Sequence, residues 1–534
     1  MRKFFRNFFD GKNSLSAASM ILIVTLFLSN VLGVIRDHYL TQKIPTDTLS
    51  IYYAAFRVPD LLFNVLILGA ISAAFIPVFS SLISNKREQE AWQTASSVIN
   101  IAIVSLIFSC VILALIMPYI VPLFVPGFST QEQTMTVKLA RIMLASPVFF
   151  GLSYIFGAIL NSHKRFAVYA LAPLVYNVAI ILGTLFLADR YGVTGVAVAV
   201  VAGAFLHMAI QIPIAIRLGF KWQLIFGIKN SFVRRIGKLM LPRALGLGAN
   251  QILLLFFTTI ASSLSGSAVA VYNLADNIQT MPMVVFGTSF AMAIFPTLSE
   301  KASEKNYEQF SMYFLKSLRS IIFFMIPISF GVYLLREQIV RMILGSGHFG
   351  WSQTNDTANL LGFFALALVF TSLVPLLARS FYALHNTKIP MFVTIVTVAV
   401  SILIGYLLSP SMGINGLAVA YSAGSLFNAI TLYLLLRGRF KIDERSMIFF
   451  ILKVLAASLI MAVAIWETVI LTNIFNMHRF WGVFAQTAIS TTVGISVFVL
   501  LAWIFNCEEI ASVKVVLSRL TGRSLAENTN EPGR

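Results

Sequence analysis

The side chains of this chain best able to do chemistry are charged groups set among apolar ones. Arg36, Asp37, Asp47, Arg57 and Asp60 lie in the stretch from Ser29 to Pro77, where one long apolar segment ends and another fills the second half. Arg57 and Asp60 are three residues apart, which places them on one face of a helix. A second set follows later in the chain: Arg243, then Asn250 and Gln251, then Asp276 and Asn277. Charges within membrane-length segments are costly in hydrocarbon, so they face a protein interior or a watery cavity. Guanidinium groups make bidentate hydrogen bonds to phosphate, so an arginine-lined cavity suits an anionic ligand. The chemistry expected is recognition of an anion, with no bond made or broken. A structural alternative stands beside it. The same residues could form salt bridges and polar ties between helices, with Arg36 and Asp37 an interfacial pair capping a helix end.

Other chemistries find little support. The six histidines have no metal-ligand spacing. Cys110 and Cys507 lie far apart with no motif around either, so neither a metal site nor a disulfide framework is expected, and no cofactor. GSGHFG at 345–350 is glycine-rich but follows no strand, which makes it a loop and not a phosphate cradle. Glu467 is a lone acid, expected against protein or at the interface. No acidic or histidine constellation gathers on a soluble loop, which argues against a membrane glycosyltransferase.

The elements that must position these groups are membrane helices. The chain has 534 residues, of which 58% are hydrophobic and 11% charged, against roughly 25% charged in a soluble domain. Apolar runs of membrane length recur from end to end. Fourteen spans are expected, at about 15–35, 54–80, 93–118, 138–160, 168–188, 194–214, 238–262, 270–298, 315–335, 357–383, 389–408, 413–436, 447–472 and 481–505. The first run is long enough to span, so no cleavable signal is expected. The formal charge of +18 does not mark a nucleic-acid binder, because the basic residues gather in short loops on one side. Arg2, Lys3, Arg6 and Lys12 open the chain. Lys86–Arg87, Lys164–Arg165, 217–238, Lys301 to Arg319, Lys388 and Arg437 to Arg445 share their side, whereas 119–137, 263–269 and 409–412 hold no Lys or Arg. Both termini are therefore expected in the cytoplasm. The basic stretch Lys229 to Arg243 is expected to set orientation and touch anionic headgroups. The polar tail after Arg523 is expected to be disordered.

An internal repeat underlies the spans. Tyr53 to Pro77 and Tyr272 to Pro296 align without gaps at Tyr, at the closing Ala and Pro, and in apolar character. YGVTGVAVAVVAGAF at 191–205 resembles MGINGLAVAYSAGSL at 412–426, and GAILNSHKR at 157–165 resembles FYALHNTKI at 381–389. The offset is about 220 residues throughout. The fold class expected is an all-α polytopic membrane protein. Residues 1–220 form one six-helix bundle and 221–440 its parallel repeat. Residues 441–506 add two helices, and 507–534 form a cytoplasmic tail. Bundles related by an axis along the membrane normal place a central site between them. In the repeat alignment Asp276 falls opposite Arg57, so two facing helices with paired charges would line that site.

Several blocks together resemble one family. They are VLGVIRD at 31–37, PTD at 45–47, FRVPDLL at 56–62, GAISAAFIPVFS at 69–80, GAILNSHKRFAVYALAP at 157–173, AMAIFPTLS at 291–299 and RSFYALHNTKIP at 379–390. The chain resembles the MurJ (MviN) lipid II flippases of the multidrug/oligosaccharidyl-lipid/polysaccharide exporter superfamily, over essentially its whole length. That resemblance implies export of an undecaprenyl-linked peptidoglycan precursor across the inner membrane by alternating access. It implies a basic central cavity for the sugar-pyrophosphate head and a groove near the last two helices for the lipid tail. The partners implied are that precursor, membrane lipids and other cell-wall synthesis proteins. Arg36, Asp37 and Asp47 fall on the family's charged positions after the first span, and Arg57 on a Lys/Arg position of the second. The departures are Asn30, Phe63, Asn64, Leu68 and Asn277, where many members carry arginine or an acid. The cavity is therefore less basic than the family norm. The eleventh span has no carboxylate or amide, so the sodium site of some members is not carried over. The alternatives are a flippase for another lipid-linked saccharide, a cation-coupled drug exporter of the same superfamily, or a scaffold that does not transport.

Overall fold

A computed structural model describes residues 15–68, 75–438, 444–474 and 479–510, with side chains except at 15–23, 68 and 239–247. Arg2, Lys3, Arg6, Lys12, Gly69, part of the loop from Arg437 to Arg445 and the tail after Arg523 lie outside the described residues. Among the described residues every regular element is helical. A bilayer offers no hydrogen-bond partner to an exposed backbone, and a helix satisfies its own.

The first half runs α1 (Leu15–Lys43), α2 (Thr46–Phe63), a π-helical segment π1 (Asn64–Leu68), α3 (Ile76–Ser84), α4 (Glu88–Phe124), α5 (Thr130–Met143), α6 (Ser146–Ser162), α7 (Phe166–Ala209) and α8 (Ile212–Arg217). The second runs α9 (Ser231–Ser262), α10 (Ala268–Pro282), π2 (Met283–Thr288), α11 (Ser289–Ser303), α12 (Tyr307–Leu334), α13 (Arg336–Leu344), α14 (Trp351–Ala383), α15 (Lys388–Met412) and α16 (Ile414–Arg437). α17 (Glu444–Leu471) and α18 (Phe480–Ile504) follow. The chain is a multi-pass membrane protein. Ten described helical segments are long and apolar enough to cross a bilayer. The expected spans at 168–188 and 194–214 share one of them, Phe166–Arg217. The expected span at 238–262 supplies a shorter apolar stretch, Gly248–Ser262.

The repeat is written into the backbone. Gly192 breaks α7 at φ 56°, ψ −147°, and one repeat period later Gly413 separates α15 from α16 at φ 57°, ψ −139°. A side chain rarely adopts these angles, which is why glycine stands at both places. Lys86 and Lys305 form one pair in the left-handed region, at φ 58° and 56°, and Lys164 and His385 another, at 59° and 57°. Each closes a helix by the same pair of bonds. Arg87 N–H reaches Leu82 O at 2.9 Å, and Asn306 N–H reaches Lys301 O at 3.0 Å. The second pair matches, with Arg165 N–H to Leu160 O at 2.8 Å and Asn386 N–H to Phe381 O at 2.9 Å. This is the closing turn that usually takes glycine. Lysine fits here electrostatically, because a cation favours the negative end of the helix dipole. π1 and π2 are likewise one period apart, each following an intrahelical proline, Pro59 or Pro282.

The two halves meet along α9, which packs on π1 and α4, and at one end of the molecule. There α2 packs on α9 and α10, and α13 packs on α1. Ala270 N–H donates to Ser50 Oγ at 3.0 Å. His38 Nδ1 lies 2.6 Å from Ile343 O, and the Thr41 hydroxyl is 3.2 Å from Leu344 O. Gly347, at φ 58°, passes so close that a Cβ there would sit 2.2 Å from Gln42 O. At the other end α3 packs on α4 and α6, while α11 packs on α12 and α14. The repeat helices thus approach near Tyr53 and Tyr272, and each follows its own half beyond the π segments. α17 and α18 pack on each other, and α17 on α12. Gln486 ties α18 to its surroundings, accepting from Gln338 of α13 at 3.1 Å and donating to Val469 O at 3.1 Å.

Candidate functional site

The last turns of α1 carry Arg36 and Asp37 to the boundary between the halves. Arg36 Nε and Nη2 donate to Asp37 Oδ1 at 3.0 and 2.8 Å. Its Nη1 donates to Asn177 Oδ1 of α7 at 3.3 Å. Asp37 is 3% exposed; its other oxygen accepts from Asn277 Nδ2 of α10 at 2.8 Å. One carboxylate therefore joins the two halves and fixes the plane of the guanidinium. A guanidinium has five N–H donors. Three are used here, so two remain for a ligand on a side chain that keeps 21% of its surface.

Arg57 sits deeper, 7% exposed, on α2. Its Nε donates to Thr258 Oγ1 of α9 at 2.8 Å and its Nη2 to Asn273 Oδ1 of α10 at 2.7 Å. Both partners are held for this task. The Thr258 hydroxyl donates to Leu254 O at 2.8 Å, and Asn273 Nδ2 donates to Val269 O at 2.6 Å. Each donates to a carbonyl of its own helix while its oxygen accepts from the arginine. Among the described residues no ion pair joins Arg57 to Asp60. Asp60 is half-buried, and its backbone oxygen accepts from Asn64 Nδ2 at 2.8 Å.

The remaining expected residues divide. Asp276, the repeat counterpart of Arg57, accepts from Gln279 Nε2 at 2.8 Å and makes no ion pair with Arg57 among the described contacts. Sharing an alignment column puts two residues at equivalent places in two halves, which does not make them neighbours. Asp47 is exposed in the first turn of α2, opposite Gly266. Arg243 lies in α9, but its side chain is outside the described residues. Asn250 is exposed, Gln251 half-buried, and Glu467 exposed. Among the described residues no group of three His, Cys, Asp or Glu side chains is placed to hold a metal ion.

Three residues of this cluster escape a reading that follows charge: Asn177, Thr258 and Asn273. Their signal is a polar side chain alone in an apolar span, which needs a partner in hydrocarbon. Two of the positions that depart from the family pattern also gain an account. Phe63 packs on Phe150 at 5.4 Å and Tyr154 at 5.2 Å between ring centroids, so an apolar contact stands there in place of a charge. Asn277 serves Asp37 from a helix of the other half.

An arginine-bearing boundary between two helical repeats fits a transporter, and comparison with known proteins decides which kind. The family model for lipid II flippase MurJ matches residues 46–498. The chain belongs to the lipid II flippase MurJ family. It is 26% identical over 429 residues to the probable lipid II flippase MurJ of Rickettsia prowazekii, covering 79% of this chain and 83% of that one. It is 25% identical over 425 residues to the lipid II flippase MurJ of Burkholderia cenocepacia, covering 77% and 82%. Among solved structures, a lipid II flippase MurJ in an inward closed conformation superposes with a TM-score of 0.78 at 24% identity, over 92% of this chain and all of that one. An inward-facing MATE-family multidrug transporter follows at a TM-score of 0.68 and 14% identity, over 79% and 98%. The MurJ family is one of transporters, and these likenesses share one all-helical fold.

Proposed function

We propose that this chain carries lipid II, the lipid-linked peptidoglycan precursor, across the bacterial inner membrane by alternating access. Residues 1–220 and 221–440 act as the two rocking bodies, and 441–506 supply a groove for the lipid tail. Both termini are cytoplasmic, so the closed end described above faces outward. The observation that carries this reading is the Arg36–Asp37–Asn277 chain. It presents an oriented guanidinium at the boundary of the halves, where an anionic head would lie.

Arg36 contacts the pyrophosphate head directly, with Asp37 as its positioning partner. Arg57 lies toward the closed end, where it both bolts the halves and meets the head as they part. Asp47, Asp60, Arg243, Asp276 and Asn277 complete the polar lining. Membership of a lipid II flippase family supports the substrate, and the hydrogen bonds of Arg57 to α9 and α10 support its double role. The test is complementation of a strain depleted of its lipid II flippase, with the precursor on the outer face read by an externally added lipid II-degrading enzyme. Rescue of growth together with outer-face precursor is expected. A chain that accumulates in the membrane yet leaves all precursor inside would refute the reading.

A further inference from the structure

Two apolar cavities lie one repeat period apart, of about 500 Å³ in the first half and about 320 Å³ in the second. Their walls correspond. Ile99 and Ile103 of α4 hold the places that Leu318 and Ile322 of α12 hold in the second. Phe156 of α6 answers to Leu377 of α14, and Met208 of α7 to Ala429 of α16.

The fourth wall differs. In the second cavity it is a helix, with Met447 and Ile451 of α17. In the first it is the connector after α8, with Phe220 and Trp222. This connector is not helical, and it is pinned to α4. Trp222 Nε1 donates to Asn100 Oδ1 at 2.9 Å, and Asn100 Nδ2 donates to Gln223 O and Ile225 O at 2.8 and 2.9 Å. Lipid-exposed irregular backbone does not occur in the hydrocarbon region. The connector therefore marks headgroup level, where an exposed Trp222 is also at home.

The mouths differ in charge. Arg437 and Glu444 both line the second cavity and pair with each other. No Asp or Glu occurs between Tyr191 and Ala275. At the first mouth Lys221, between the two lining aromatics, is exposed, and Lys229 is exposed farther along the same connector.

We propose that the first cavity is a slot for one acyl chain of an anionic phospholipid, with its phosphate against Lys221 and Lys229. This rests on the chain's being a membrane protein and not on the export reading. An apolar slot alone cannot choose among lipids, because a chain entering it leaves one hydrocarbon for another. The choice must come from the headgroup, and the exposed Lys221 of this connector has no ion-pair partner among the described residues, whereas Arg437 of the second cavity is matched by Glu444. A juxtamembrane Lys or Arg favours an anionic surface by about fivefold.

The test uses the full-length protein in vesicles containing phospholipid with brominated acyl chains, as phosphatidylglycerol or phosphatidylcholine. Bromine in contact quenches tryptophan, and the difference between wild type and Trp222→Phe isolates Trp222. Quenching of Trp222 should reach half its maximum at an at least fivefold lower fraction of the brominated phosphatidylglycerol. Met208→Phe, which fills the slot, should reduce the quenching. Lys221→Gln with Lys229→Gln changes only exposed side chains and should bring the two lipids together, so the test survives if the filling variant does not fold. Equal quenching by both lipids in the wild type, or an unchanged preference in the double lysine variant, overturns the proposal.

Discussion

Arg57 and Asn273 meet at 2.7 Å across the boundary between the repeats. The contact is charge-assisted and part-buried, and it joins the second helix of one half to its repeat partner in the other. A hydrogen bond to a charged group contributes about 1.5–3 kcal/mol. Asn273→Ala should therefore weaken the closed end by roughly tenfold to 150-fold in equilibrium constant. Tyr272 is buried at that end. In an Asn273→Ala background, Tyr272→Cys should label faster with an external thiol reagent than in the unmodified background. Equal labelling rates would show that the contact does not hold the end shut.

Exchanging Arg57 and Asp60 separates a bolt from a bridge. An ion pair tolerates exchange of its partners. Arg57 instead donates to two neutral oxygens on α9 and α10, and a carboxylate at position 57 would face those same oxygens. The exchanged protein should accumulate but lose export in the complementation assay. Full activity would return the pair to a purely structural role.

Asn277 is open to a graded test. Asn277→Leu leaves one oxygen of the buried Asp37 without its partner, a loss of about 1–3 kcal/mol. Export should fall while the protein still inserts. Asn277→Arg keeps a donor at this position, because a guanidinium can donate to Asp37 in place of the amide. This variant should export at least as well as wild type. If Leu and Arg behave alike, the Asp37–Asn277 bond has no part in transport.

How much of this was legible in the sequence follows from what each signal reports. Apolar length and the repeat gave the helical class and its internal symmetry, because both are set by composition at fixed spacing. Charge located Arg36, Asp37 and Arg57, since a charge in hydrocarbon must have a reason. Partners were another matter. Asp276 was matched to Arg57 by alignment, yet Asn273, one turn earlier on the same helix, makes the contact. A repeat fixes which positions are equivalent, and only packing fixes which ones touch. The π segments were also invisible, since Pro59 and Pro282 predict a bend without saying how the backbone absorbs it.

Orientation can be read with cysteine chemistry at low background, because Cys110 and Cys507 are free and buried. Ser129, Ser265 and Ser231 are all exposed. Changed singly to Cys in intact cells, the first two should react with an impermeant external reagent and Ser231 should not, given the distribution of Lys and Arg. External labelling at position 231 would invert the proposed topology.

The closed end supplies the most direct test of rocking. Ser50 Oγ accepts from the backbone N–H of Ala270 at 3.0 Å, so α2 and α10 are in direct contact here. A disulfide needs Cα atoms about 4.4–6.8 Å apart, and neighbouring positions should be scanned with Ser50→Cys and Ala270→Cys. Beyond this contact the helices enter π1 and π2, and then α3 and α11 pack within their own halves. If the halves rock, the ends near Ser50 and Ala270 must part once in every cycle. A disulfide there should form readily, stop export, and release it on reduction. The control is a cross-link within one half, such as between α3 and α6, which pack together and which rocking leaves together. It should form without loss of export. Complete cross-linking at the closed end with export intact would mean that these ends stay together throughout transport, and the cavity would have to open by bending at the π segments instead.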